Sequence, residues 1–178
     1  MTTANLPRIA LASLIALGFA LFAPNLPAEA GHLQAKPFLL TDRIPRGASE
    51  QQLLRFARKH HAKALQESKE PNQNDRKWRA NLVVSFNRPV GDLEFQVLFY
   101  DVEDRERRLI EDMSTMVSDR TQKTFVQKLK LPRSRFKANR DMELVVTVRH
   151  QEVGRAKFRL VGERKQHSGT VDFADDER

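Results

Sequence analysis

From Trp78 onward, apolar residues recur at every second position, and this period constrains the fold more than any other feature of the chain. Trp78, Ala80, Leu82, Val84 and Phe86 alternate with Arg79, Asn81, Val83 and Ser85. Leu93, Phe95, Val97 and Phe99 alternate with Glu94, Gln96, Leu98 and Tyr100. A weaker segment covers Leu109 to Val117. Phe125, Gln127, Leu129 and Leu131 then face one way, against Val126, Lys128 and Lys130. Met142, Leu144, Val146 and Val148 alternate next, and Ala156, Phe158 and Leu160 close the set. Successive side chains of a strand point to opposite faces, so each segment has one dry and one wet side. Turn signals fall between them, including Asn87 to Asp92, Ser118 to Arg120 and Gln151 to Gly154. Six short strands at this spacing, with no helices interleaved, predict a mainly β fold: an antiparallel β-sandwich of residues 78–162.

The chain has 178 residues, a net charge of +8 and no cysteine. This excludes a disulfide scaffold, a thiolate zinc site, a cysteine nucleophile and a Cys-anchored lipoprotein. Its first thirty residues differ from the rest. A short polar leader with Arg8 precedes the apolar run Ile9 to Ala23; Pro24 and Pro27 break any helix, and Ala28-Glu29-Ala30 offers small residues for cleavage. That is the layout of a secretory signal, and the run is too short for the roughly 20 residues a spanning helix needs. The expectation is a signal peptide at 1–30 and an exported chain from Gly31, periplasmic or extracellular. An uncleaved N-terminal anchor is the alternative. Export without cysteine fits a bacterial envelope.

Residues 31–77 are expected to hold an extended arm with the apolar knot Phe38-Leu39-Leu40, a basic helix at about 49–67, and a polar linker. Ser49 with Gln52 three residues later makes a capping box. Leu53, Leu54, Ala57, His61, Ala64 and Leu65 recur at helical spacing as one narrow stripe. Leu53, Leu54, Ala57 and Leu65 are candidate docking residues, for the sandwich end or for a partner. Residues 163–178 read as a polar tail with an acidic end, Asp172, Asp175, Asp176 and Glu177, free to fold back on a basic face.

The strand-ending run Val97-Leu98-Phe99-Tyr100-Asp101 resembles the tyrosine–aspartate signature of the FxLYD family of small bacterial envelope domains. Leu131-Pro132, a spacer, and Leu144 to Val148 resemble the crossing between sheets in immunoglobulin and fibronectin type III folds. The resemblance implies an immunoglobulin-like sandwich. The corner tyrosine such folds carry is absent near Met142, and no hairpin glycine follows Asp101.

Charge placement is the feature closest to chemistry. Between Arg120 and Arg140 stand eight basic residues and no acid. Lys128 and Lys130 share an outward face, as do Arg155, Lys157 and Arg159. If the two strands adjoin, these residues with Arg133, Arg135 and Lys137 form one basic surface that concentrates anions. The expected partners are an acidic envelope protein, lipopolysaccharide phosphates, an anionic glycan or phospholipid headgroups, with at most peripheral membrane contact and no nucleic acid. The alternative is a solvated face whose lysines discourage edge pairing. The acidic loop Asp101, Glu103, Asp104 and Glu106 has oxygen ligands but is interleaved with arginines and lacks a calcium-loop pattern. His60 and His61 are neighbours and cannot chelate together across a helical turn. His61 is expected half-buried beside the stripe. No nucleophile elbow, phosphate loop or dinucleotide fingerprint appears. The sequence therefore predicts a non-enzymatic module with no cofactor and no metal: an interaction or accessory component of an envelope assembly, or a polyanion-binding protein.

Overall fold

The computed structural model describes residues 32–163 apart from Arg105. Contacts divide the chain into two units, Met1–His32 and Leu33–Arg178, and the sheets and the helix belong to the second. The expected signal peptide and the acidic tail lie outside the described residues.

The chain is mainly β, with two sheets around one core. Eight strands run in the order β1 (Ala35–Leu40), β2 (Ala64–Gln66), β3 (Lys77–Phe86), β4 (Glu94–Asp101), β5 (Arg108–Met116), β6 (Thr124–Pro132), β7 (Arg140–Val148) and β8 (Gln151–Val161). One helix, α1, spans Glu50–His60. The smaller sheet has the order β1-β3-β6 and the larger β2-β8-β7-β4-β5. Every pairing is antiparallel except β2 with β8. The inward residues of the period-2 segments form the core between the sheets, with Trp78, Leu82, Phe95, Phe99, Leu144 and Leu160 among its most enclosed members. Phe86, Phe95 and Phe125 meet edge-on across the two sheets, with centroids 5.1–5.8 Å apart, a favoured aromatic geometry. Phe136, from the long connection after β6, plugs one end against Phe99 at 5.9 Å.

The segment before Trp78 belongs to the same body. Ala35, Pro37 and Leu39 of β1 point inward and pair along β3. Proline is tolerated there because β1 is an edge strand. The helix starts as expected, with the reciprocal hydrogen bonds between Ser49 and Gln52. It ends at His60, not near Glu67. Residue Leu65, placed by its spacing on the helical stripe, is instead the centre of β2. It registers with Leu160 of β8 and is fully buried in the main core. A three-residue strand adds main-chain bonds to the β8 edge and buries Leu65.

The last hairpin turns earlier than its sequence suggests. Its turn is Arg149-His150, both in the left-handed region at φ 51° and 64°, as a two-residue hairpin requires. Gln151 to Gly154 already belong to β8. Gly154 serves a different purpose, letting β8 approach the backbone of Ala35 closely.

Candidate functional site

The single basic surface expected from β6 and β8 does not form. β6 is in the smaller sheet and β8 in the larger, so Lys128 and Lys130 emerge on the opposite side from Arg155, Lys157 and Arg159. The alternation within each strand is as read, but sheet membership depends on the crossing between them.

The two sides differ in how their cations are held. On the larger sheet, carboxylates of neighbouring strands take the arginines. Arg155 reaches Glu152 at 2.7 Å and Glu143 at 3.8 Å, and Arg159 reaches Asp141 at 2.7 Å. Arg107 lies 4.2 Å over the Tyr100 ring and pairs with Glu143 at 3.0 Å, a cation–π stack capping a charge pair. Arg140 donates to Asp101 at 2.9 Å and to Asp104. Its hydrogen bonds hold the Asp104 carboxyl below the usual carboxylate range, and the two carboxylates raise the guanidinium's own pKa. In the acidic loop, Asp101 and Asp104 are turned to Arg140, and Glu103 accepts the Asp141 N–H.

One of the candidate anion binders is structural. Arg133 is buried, donates to the equally buried Glu67 and to the Glu163 carbonyl, and so ties the end of β6 to the ends of β2 and β8. Arg76 joins the same knot through Glu163 at 2.6 Å, and that hydrogen bond lowers the Glu163 pKa. Arg135 pairs with Glu111 at 2.6 Å. Lys137 lines a cavity of about 250 Å³ beside Phe136, Met142 and Arg140. Lys137 and Lys157 form no ion pair among the described residues.

Among the described residues, Lys69, Arg88, Arg108, Arg120, Lys123, Lys137 and Lys157 are without an ion pair elsewhere, and nine more such cations lie on or around α1 and the outer side of the smaller sheet. There α1 lies across the strands: Glu50 at its start accepts from Thr124 of β6 at 2.6 Å, and His61 just past its end bridges to Leu40 of β1. Leu53, Leu54 and Ala57 pack with Leu40 and Val83 in a second small core. The stripe offered as a docking surface is therefore used internally. This also explains why Val83, on the wet side of β3, is fully buried. With its apolar side inward, α1 leaves Arg55, Arg58 and Lys59 exposed. Arg43 and Arg46 come from the loop before it, whose Asp42 carbonyl accepts from Asn81 at 3.1 Å. Lys36 and Lys63 flank it, and Lys128 and Lys130 stand on β6. None of these nine forms an ion pair among the described residues.

The acids of the same segment are engaged. Asp42 lies 2.9 Å from His60 Nδ1, and Glu50 is on Thr124. His60, not His61, is the half-buried histidine, stacked on Phe56 at 4.3 Å. The expected anion binders lay on β6, on the connection after it and on β8; the cations of the basic helix were not among them. The available signal was composition: residues 33–63 hold seven Lys or Arg against two acids.

No protein-family model matches the chain, and no match is found among curated proteins.

Proposed function

We propose that this chain is an exported, non-catalytic interaction module of a bacterial cell-envelope assembly, an immunoglobulin-like sandwich that docks an anionic partner on its α1 side. The strand order supports the immunoglobulin-like reading. β1, β3 and β6 stand as A, B and E of one sheet, and β4, β5, β7 and β8 as C, C′, F and G of the other, with β6 to β7 crossing between them. The anionic-partner reading rests on one observation: cations on the larger sheet are mostly neutralised within the fold, whereas those on and around α1 and β6 are not. Unpaired charge of one sign on one side steers an oppositely charged partner and raises its encounter rate.

The test is salt-dependent binding of a sulfated polysaccharide, heparin, to the chain beginning at Gly31. Reversing Arg55, Arg58 and Lys59 to Glu is expected to abolish binding, while reversing Arg155, Lys157 and Arg159 leaves it within a few-fold. Equal losses from the two sets, or binding indifferent to salt, overturn the anionic-partner reading. For export, the native protein is expected to begin at Gly31; an intact Met1 in a soluble intracellular fraction overturns it.

A further inference from the structure

The two sheets are unequal, three strands against five. On one flank the difference is closed, because β1 touches β8 across the sheets through Gly154. On the other flank it is open. β6 pairs only with β3, and β5 only with β4, so each presents a free backbone edge among the described residues. The inward residues Ile110 and Met113 of β5 are half-buried and packed against the rim of the main core. A hydrogen bond from Thr115 Oγ1 to Gln127 Oε1, at 2.7 Å, joins the two edges. Of the exposed large apolar residues, Leu109 and Met116 lie on β5 and Val126 on β6.

An open edge with apolar surroundings is a template for another strand. The outer row of β6 selects which one. Val126, Lys128 and Lys130 are exposed there, and Lys130 already stands opposite Arg79 on β3. A second copy of β6 would bring lysines beside lysines, and like charges directly opposite destabilise a ladder. An acidic strand meets the reverse condition, so the same lysines reject one partner and admit the other.

We propose that the free edge of β6 takes an extended acidic segment of a partner protein as a fourth strand of the smaller sheet. Its alternate apolar residues turn inward toward Ile110 and Met113, and its carboxylates turn outward beside Lys128 and Lys130. The inference rests on the anionic-partner reading and deepens it, from a charged surface to a backbone-pairing site.

The probe is a short synthetic peptide of alternating valine and glutamate, titrated by fluorescence anisotropy against the chain beginning at Gly31. The companion probe is the same peptide with alternate backbone nitrogens methylated, which keeps charge and side chains but removes the donors for strand pairing. The first is expected to bind. The methylated form, and the first form on Lys128→Glu/Lys130→Glu, are each expected to bind at least about tenfold more weakly, a loss of several main-chain or charge-assisted bonds. Both lysines are exposed, so the double variant folds. Equal binding of the two peptides overturns strand addition. If neither peptide binds while heparin does, the edge inference fails and the anionic-partner reading stands; if heparin also fails, both fall. A last arm removes residues 171–178, whose Val171, Asp172 and Phe173 carry the same alternation. Unchanged peptide affinity on deletion leaves the edge to an outside partner. Binding that appears only after deletion makes the chain's own tail the occupant and overturns the proposal.

Discussion

Gly154→Ala is expected to loosen the closed flank of the sandwich. Gly154 sits in β8 opposite Val146, beside the irregularity at Val146/Thr147. A methyl group there would stand 2.8 Å from the carbonyl carbon of Ala35 and 3.1 Å from its Cβ, and would overlap the Ala35 carbonyl oxygen. Carbon atoms settle about 3.5–4.0 Å apart, so the carbonyl carbon alone requires β1 to withdraw by about 0.7–1.2 Å, and the nearer oxygen requires no less. It is not free to do so: Ala35 is paired with Phe86, and Leu39 and Leu40 of the same strand are buried in two different clusters. The left-handed glycines are Gly47 and Gly91, so backbone strain at Gly154 adds nothing and the clash carries the whole effect. Overpacking of this kind costs about 1–3 kcal/mol, which lowers Tm by roughly 2–12 °C in a domain of this size. Circular dichroism melts and urea titration measure it, with the urea slope unchanged. Ala35→Gly is the control. It removes a methyl but leaves the carbonyl, so it restores little. A Tm within about 1 °C of the parent, or full rescue by Ala35→Gly, would refute the reasoning.

Arg133→Met strands the buried Glu67 carboxylate, with only Arg76 at 4.0 Å and the Glu163 N–H at 3.1 Å in compensation. Urea unfolding is expected to show a loss of about 3 kcal/mol, and a loss under about 1 kcal/mol would mean that the pair is solvated. His150→Gly relieves a left-handed residue in the β7–β8 turn at the cost of extra freedom when unfolded, so a gain of about 0.5 kcal/mol in the same assay is expected. Acid sensitivity follows from the arginine-held carboxylates. Hydrogen bonds from Arg149, Arg140 and Arg76 depress the folded pKa of Asp92, Asp104 and Glu163 below the ordinary values of 3.8 and 4.5. The unfolded chain therefore binds more protons in acid. This contribution is intact above those ordinary values and is lost as pH falls through the depressed ones. Melting temperature is expected to drop on acidification below about pH 4, and a flat profile to about pH 3 would contradict the pairing.

Most strands from Lys77 to Val161 were readable because they carry a dry face in period 2; β5, with no buried residue, was the weak one, and β7 is buried on both faces from Met142 to Val148. The start of α1 was readable because Ser49 and Gln52 lie within one turn of each other. Its end was not. Leu65 satisfies a helical stripe and a buried strand equally well, and only the β8 edge, almost a hundred residues later, decides between them. Val83 was the overlooked clue: a fully apolar residue in a polar register implies a cover, and α1 is that cover. The Arg133–Glu67 contact joins residues far apart in sequence, so neither residue signals its partner. The basic surface failed for the same reason. Facing within a strand is a local property, whereas the sheet a strand joins is set by the crossing after β6.

The distribution of charge follows from cross-strand register. On the larger sheet, Arg159 registers with Asp141, and Glu143 lies between Arg155 and Arg107, so these arginines are neutralised where they arise. On the smaller sheet the opposing residues are Lys130 with Arg79 and Lys128 with Asn81. The first is a like-charge pair, destabilising by a few tenths of a kcal/mol to about 1 kcal/mol when directly opposed. Arg79 turns away to Glu70 at 3.2 Å, which leaves Lys130 without an acid of its own. A carboxylate arriving on the free side of β6 would supply one, and would do so at an edge where salt screens contacts beyond about 8 Å at physiological ionic strength. A diffuse cloud of counterions does the same at high salt. Attraction between the protein and an acidic partner is therefore greatest at low salt, while main-chain pairing along β6, once formed, depends on salt far less. Association rate falling with salt while dissociation rate holds steady is the kinetic signature that separates strand addition from simple charge attraction.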